Sequence, residues 1–132
     1  MSLSDTFETH TLKYLLTSDS VTRPTNWFVA LCTTDPTDSA LGTEVSTSGT
    51  AYARQAATFT VSGNNASNTS AIEFPEATGS GYGTVIAVMI MPAATGGSAS
   101  DMIVHAQLTA DKTISAGDIF RIPAGDLDIN ID

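Results

Sequence analysis

The sequence predicts an all-β domain, a jelly-roll-like antiparallel β-sandwich of about eight strands led by one short α-helix. Three observations carry that expectation. Short apolar, branched or aromatic runs recur along the chain, and Gly, Pro, Asn and Asp clusters punctuate them at close intervals, as in sandwiches and barrels. Only 14% of the residues are charged, so Thr, Ser, Asn and Gly supply much of the polar surface, a composition that suits sheets. One leading stretch repeats its apolar residues at helical spacing. A chain of 132 residues has the size of one domain that buries a core without disulfides or metals, so 1–132 is read as a single domain, with helix 4–17 and sandwich 26–132. An immunoglobulin-like sandwich lacks its Cys and Trp hallmarks here.

The helix is read from Ser4 or Asp5 as cap, with Asp5 and Glu8 near the positive end of its dipole. Leu3, Phe7, His10 and Tyr14 share one face, and Leu12, Leu15 and Leu16 widen it. Thr17 to Ser20 break the pattern and Pro24 prevents its recovery. His10 is expected as a packed, hydrogen-bonded side chain rather than a ligand.

Trp27 to Cys32 is a continuous apolar run, expected as a central strand buried on both faces. Asp35-Pro36 turns the chain, and the connection to about Thr50 is too long for a tight hairpin, so it crosses an edge or folds over the surface. Tyr52 to Ser62 is expected as a strand, Gly63 to Asn68 as a turn cluster, and Ala71 to Phe74 as a short strand stopped by Pro75. Gly79 to Gly83 has neither the spacing nor the following helix of a phosphate cradle. Thr84 to Met91 is the most apolar run, fit for a doubly buried strand and too short for a membrane span. From Met102 to Leu108 the alternation places His105 opposite the core residues. Lys112 to Ser115 is a short extended piece, and Ile119 to Ile122 a strand closed by Pro123. In the final strand Leu127, Ile129 and Ile131 face inward, against Asp126, Asp128, Asn130 and Asp132.

Charge excludes some functions. Five basic residues stand against fourteen acidic ones, and a net charge of -9 repels a phosphate backbone, so nucleic acid is not an expected partner. Cys32 is alone, which excludes an internal disulfide and a thiolate metal cluster. The first ten residues lack a basic start and an apolar core, so no secretory signal or membrane partner is expected and synthesis in a cytoplasm is. The two Asn-x-Ser/Thr matches, at Asn65 and Asn68, therefore carry no weight. The C-terminal aspartates lack the Gly-turn loop of a calcium site and read as a solvated edge. No nucleophile elbow, zinc motif or fixed carboxylate pair is visible, so no enzyme and no cofactor is expected.

Four segments, FVALCTTDPTDSALGTEVS, GTAYARQAATF, AIEFPEATGSGYGTVIAVMI and KTISAGDIFRIPAGDLDI, resemble in the same order a family of small tailed-bacteriophage virion proteins, often labelled phage tail fibre protein. Similar small jelly-roll proteins serve as capsid cement (decoration) proteins. Where relatives often carry Trp-Gly before the central apolar strand, this chain has Tyr82-Gly83. The resemblance implies a structural protein on the outer capsid surface of the virion that bridges major capsid protein subunits and forms a homo-oligomer, dimer or trimer. The alternative is a tail fibre or spike component that binds a host glycan through its loops, with Tyr52 and Tyr82 as the aromatics. Expected partner contacts are Phe7, Tyr14, Arg23, Asp35, Asp38, Glu44 and Arg54, with Arg54 open either to an acidic coat residue or to a carboxylate of its own chain.

Overall fold

The chain opens with a two-residue strand, β1 (Ser2–Leu3), and turns at Ser4 into helix α1 (Asp5–Leu16). The computed structural model describes residues 1–131, so Asp132, expected on the acidic face of the last strand, lies outside the described residues. Ser4 is the helix cap: its fully buried Oγ accepts from Phe7 N–H at 3.4 Å and donates to the Met102 carbonyl. Asp5 and Glu8 occupy the first turn and Lys13 the last, each matched to the helix dipole. At Thr17 the backbone turns extended while its N–H still donates to Lys13, and the helix ends.

The remaining strands are β2 (Phe28–Cys32), β3 (Gln55–Ala56), β4 (Phe59–Ser62), β5 (Asn65–Asn68), β6 (Ile72–Glu73), β7 (Gly83–Met91), β8 (Val104–Ile114), β9 (Arg121–Ile122) and β10 (Asp128–Asn130). They form three antiparallel sheets in the orders β1-β8-β7-β2-β3, β10-β5-β4 and β6-β9. The architecture is the expected all-β, sandwich-like one with an N-terminal helix, built among the described residues from ten strands rather than about eight.

The two longest apolar runs become neighbours, pairing from Phe28 opposite Met91 to Cys32 opposite Ala87. Alternation sends Val29, Leu31, Val88 and Ile90 into the main core with Tyr52, Phe74, Ile114 and Leu127. Ala30, Cys32, Ala87, Met89 and Met91 point the other way, into a second cluster completed by Met102 and flanked by Leu41. A register irregularity between Val85 and Ala87 resets the alternation, so Val85 and Val88 reach the same core. Both strands are thus buried on both faces, as their unbroken apolar sequence requires.

Elsewhere the structure corrects the sequence reading. The Tyr52 to Ser62 run is not one strand: Ala57 N–H donates to the Trp27 carbonyl at 2.9 Å, and after it the chain leaves β2 for β5. Asn65–Asn68, expected as a turn, is β5, because a two-residue turn at Gly63-Asn64 already reverses the chain, with Gly63 at φ 62°. Lys112 to Ile114 are the end of β8 rather than a separate piece. Ile131, expected inward, is 59% exposed, although its N–H still donates to the Asn64 carbonyl at 3.0 Å. His10 packs edge-on against Phe7, but its Nδ1 is buried without a hydrogen-bond partner.

Asn68 locks the small sheet to the C-terminal turn. Its Nδ2 donates to the carbonyls of Ser70 and Pro123 at 2.8 and 2.9 Å, while its Oδ1 accepts from the N–H groups of Gly125 and Leu127 at 3.1 and 2.9 Å. Asn68→Ala leaves the buried Leu127 N–H unpaired and removes the amide's bonds to Ser70 and Pro123, while Gly125 N–H keeps the Asn68 carbonyl, and is expected to cost on the order of 2–3 kcal/mol of stability. Urea unfolding measures it; a loss near zero would show that water replaces the amide.

Candidate functional site

α1 packs on the body only through its first half. Phe7 reaches the main core, whereas Leu12, Tyr14, Leu15 and Leu16 are 58%, 76%, 68% and 76% exposed, and no α1 residue is buried. Phe7, His10 and Tyr14 share one side of α1 as expected and Phe7 is covered, but Leu12, Leu15 and Leu16 lie on another side, exposed, and do not widen that stripe. After Ser20 the chain runs back beside the helix as an extended strap, which Pro24 keeps from helical form. Between strap and helix lies an open groove of about 350 Å³, with Phe7, His10, Tyr14 and Leu15 on one wall and Val21, Arg23 and Pro24 on the other. Three of the seven expected contact residues, Phe7, Tyr14 and Arg23, meet there. Covering an exposed Leu is worth about 1.5–3 kcal/mol, which this half of the helix forgoes within the chain.

The other four residues lie on the loop from Thr33 to Arg54, and the chain itself engages all of them. The loop first crosses the outer face of β8: Asp35 accepts from Gln107 Nε2, and Asp38 accepts from Ser2 Oγ at 2.7 Å and pairs with His105 Nε2 at 2.9 Å. His105 does face away from the main core, as its alternation required. The loop then returns along β2, where Val45 N–H donates to the Leu31 carbonyl at 3.0 Å. There Arg54 grips Glu44 with two bonds, Nε to Oε1 at 2.8 Å and Nη2 to Oε2 at 2.7 Å, while Nη1 donates to the Ala93 carbonyl. Tyr52 Oη completes the node by donating to Glu44 Oε1 and accepting Leu31 N–H.

The electrostatics follow from this placement. The Arg54 side chain is 6% exposed, and the bonds from Glu44 hold its guanidinium more basic than usual. Burial pushes the Tyr52 phenol well above its ordinary range and the Cys32 thiol up to about 12, so the thiol stays protonated and unreactive. The sequence offered Arg54 and Glu44 separately, and Tyr52 only as an aromatic for a sugar, not as the link between them. The signal was the Tyr52-Ala53-Arg54 spacing, which puts the first and third side chains of an extended segment on one side. Tyr52 and Tyr82 are each 4% exposed, the latter donating to the Pro75 carbonyl at 2.6 Å, so neither offers a free ring to a sugar.

Among the described residues no three His, Cys, Asp or Glu side chains gather as a metal group, and no helix is long and apolar enough to cross a membrane. Comparison with known families makes this chain a structural protein of the tailed-phage virion. The family whose model matches, over residues 2–130, is described as Gp80, podophage GP4 fiber I protein gp80, and the chain belongs to it. No curated protein matches the chain.

Two measurements check the loop anchors. Arg54→Met strands the Glu44 carboxylate and is expected to lower stability by about 3 kcal/mol, with much of the loss recovered by adding Glu44→Gln; equal losses in single and double variants would show no coupling. The Asp38 carboxyl is held below its ordinary 3.8 by the Ser2 hydroxyl first and His105 second. A depressed folded pKa stabilises above the unfolded value and is lost as pH falls through the folded one. Acid titration below pH 3.8 is therefore expected to release β1 first, read by amide exchange at Ser2 and Leu3, and Asp38→Asn is expected to remove that step.

Proposed function

We propose that this protein is a non-catalytic structural subunit of the phage fibre, attached to a neighbouring virion protein through the exposed row of α1. The carrying observation is the uncovered apolar half of α1: Leu12, Leu15 and Leu16 share one exposed face, and Leu15 also walls, with Tyr14, a groove whose rim holds Arg23. Large apolar side chains clustered on one exposed face mark an interaction surface. The family description, a fibre protein, supports a place on the fibre. Arg23 and Lys13 are two of only five basic residues, and both lie beside this surface, so an acidic partner face suits it.

Capsid cement is a second reading with its own support. Among the described residues there is one α-helix, of twelve residues, and the sequence has no shaft-like repeat, so the chain suits a compact subunit rather than a rod. On the head it would bridge adjacent major capsid protein subunits from outside, stabilising the shell because unbound subunits lack that contact.

Immunogold labelling of intact virions distinguishes the two. Label on the fibre is the expected result. Label spread over the head overturns the fibre reading in favour of cement, and label absent from particles overturns both. In either location, Leu12→Asp combined with Leu16→Asp is expected to weaken incorporation roughly a hundredfold while leaving the fold intact by circular dichroism. Normal incorporation of that variant would remove α1 from the contact.

A further inference from the structure

The sheet β10-β5-β4 ends in two edges of opposite character. β10 carries Asp128, with Asp126 just before it, and charge of that kind keeps an open edge from pairing with another chain. β4 has no such guard. From Gln55 to Ala71 there is not one Asp, Glu, Lys or Arg, in a chain whose net charge is -9. Thr60, Val61 and Ser62 are exposed, Val61 at 73%.

Backbone parity fixes what this edge offers. In an antiparallel ladder, residues whose N–H and C=O groups face the partner alternate with residues whose groups face away. The hairpin closes on Ser62 opposite Asn65, then pairs Thr60 with Ser67, and Thr69 N–H donates to the Thr58 carbonyl at 2.9 Å. Thr58, Thr60 and Ser62 therefore bond toward β5, and Phe59 and Val61 turn their peptide groups to the free edge. Ala57, of the same parity, uses that direction to bond Trp27, but no described strand continues opposite Phe59 and Val61. The side chains of Phe59 and Val61 line an apolar gap of about 290 Å³ together with Trp27 and Ile129.

We propose that β4 pairs with β4 of a second copy, antiparallel about a two-fold axis at Thr60, so that two three-stranded sheets join into one of six strands. Phe59 of each copy then exchanges both backbone bonds with Val61 of the other, and Thr60 lies opposite its own symmetry mate. The occupant is a second copy because the edge is self-complementary under this operation. It is also where two acidic chains meet without bringing charge together, while like charges elsewhere on the surface oppose contact. Pairing covers Val61 and closes the mouth of the apolar gap. The inference does not depend on whether the protein sits on the fibre or the head.

Analytical ultracentrifugation of the purified chain tests it, with twice the 13.7 kDa chain mass expected. Val61→Pro removes an N–H that faces away from β5, so the fold is kept while the dimer dissociation constant rises roughly a hundredfold for the two bonds lost. Val61→Lys, which restores a charged guard, is expected to do the same should the proline variant misfold. Thr60→Cys is expected to give a disulfide-linked dimer on mild oxidation, since facing residues at such a pair lie about 4.5 Å apart at Cα. Cys32 is buried and does not compete. A monomeric or trimeric wild type, or a dimer that survives both Val61 variants and is lost with Leu12→Asp/Leu16→Asp, would overturn the proposal.

Discussion

Two adjacent strands, β2 and β7, are apolar on both faces, and the rest of the structure answers that constraint. A doubly apolar pair needs two covers. One is supplied by the small sheets and by Tyr52, Phe74, Ile122 and Leu127, which close the main core. The other comes from irregular chain: Met102 ahead of β8 and Leu41 from the long loop, laid over small or flexible residues such as Ala30, Ala87 and Met89. Small and flexible side chains suit a cover without regular structure, because they let backbone approach closely and fill uneven gaps.

That second cover explains the polar chemistry of the loop. An irregular segment held over a sheet must satisfy its own peptide groups and be pinned at intervals. Asp35 and Asp38 pin it to Gln107 and His105 at its start, and the Glu44, Arg54 and Tyr52 node pins it to β2 at its end. A carboxylate and a guanidinium this enclosed specify one arrangement, since each would be stranded in any other. Asp35, Asp38, Glu44 and Arg54, which look like a recognition surface in the sequence, are thus occupied with architecture, whereas Arg23 is not.

Two surfaces are left uncovered. The α1 row and the β4 edge are surfaces without intramolecular cover, and they stand out against an acidic body of net charge -9. A strongly negative surface opposes contact between copies, so the α1 surface, flanked by Lys13 and Arg23, and the uncharged β4 edge are where that opposition is weakest. Such a division fits a virion component, made as separate chains and then placed beside defined neighbours.

Local sequence already determined the elements whose signals need no distant partner. The helix from Asp5 to Leu16 follows from its cap, its charges and its periodicity, and β2 and β7 follow from unbroken apolar runs bounded by Pro, Asp or Gly. Alternation also placed His105 correctly away from the main core. Tertiary structure decided the rest. Asn65–Asn68 has little strand propensity and became β5 only because β4 and β10 flank it on both sides. Arg54 could choose among many carboxylates, and only the path of the loop selected Glu44. Leu12, Leu15 and Leu16 read as core by their spacing, yet periodicity states which residues share a face, not whether the chain has anything left to put against it.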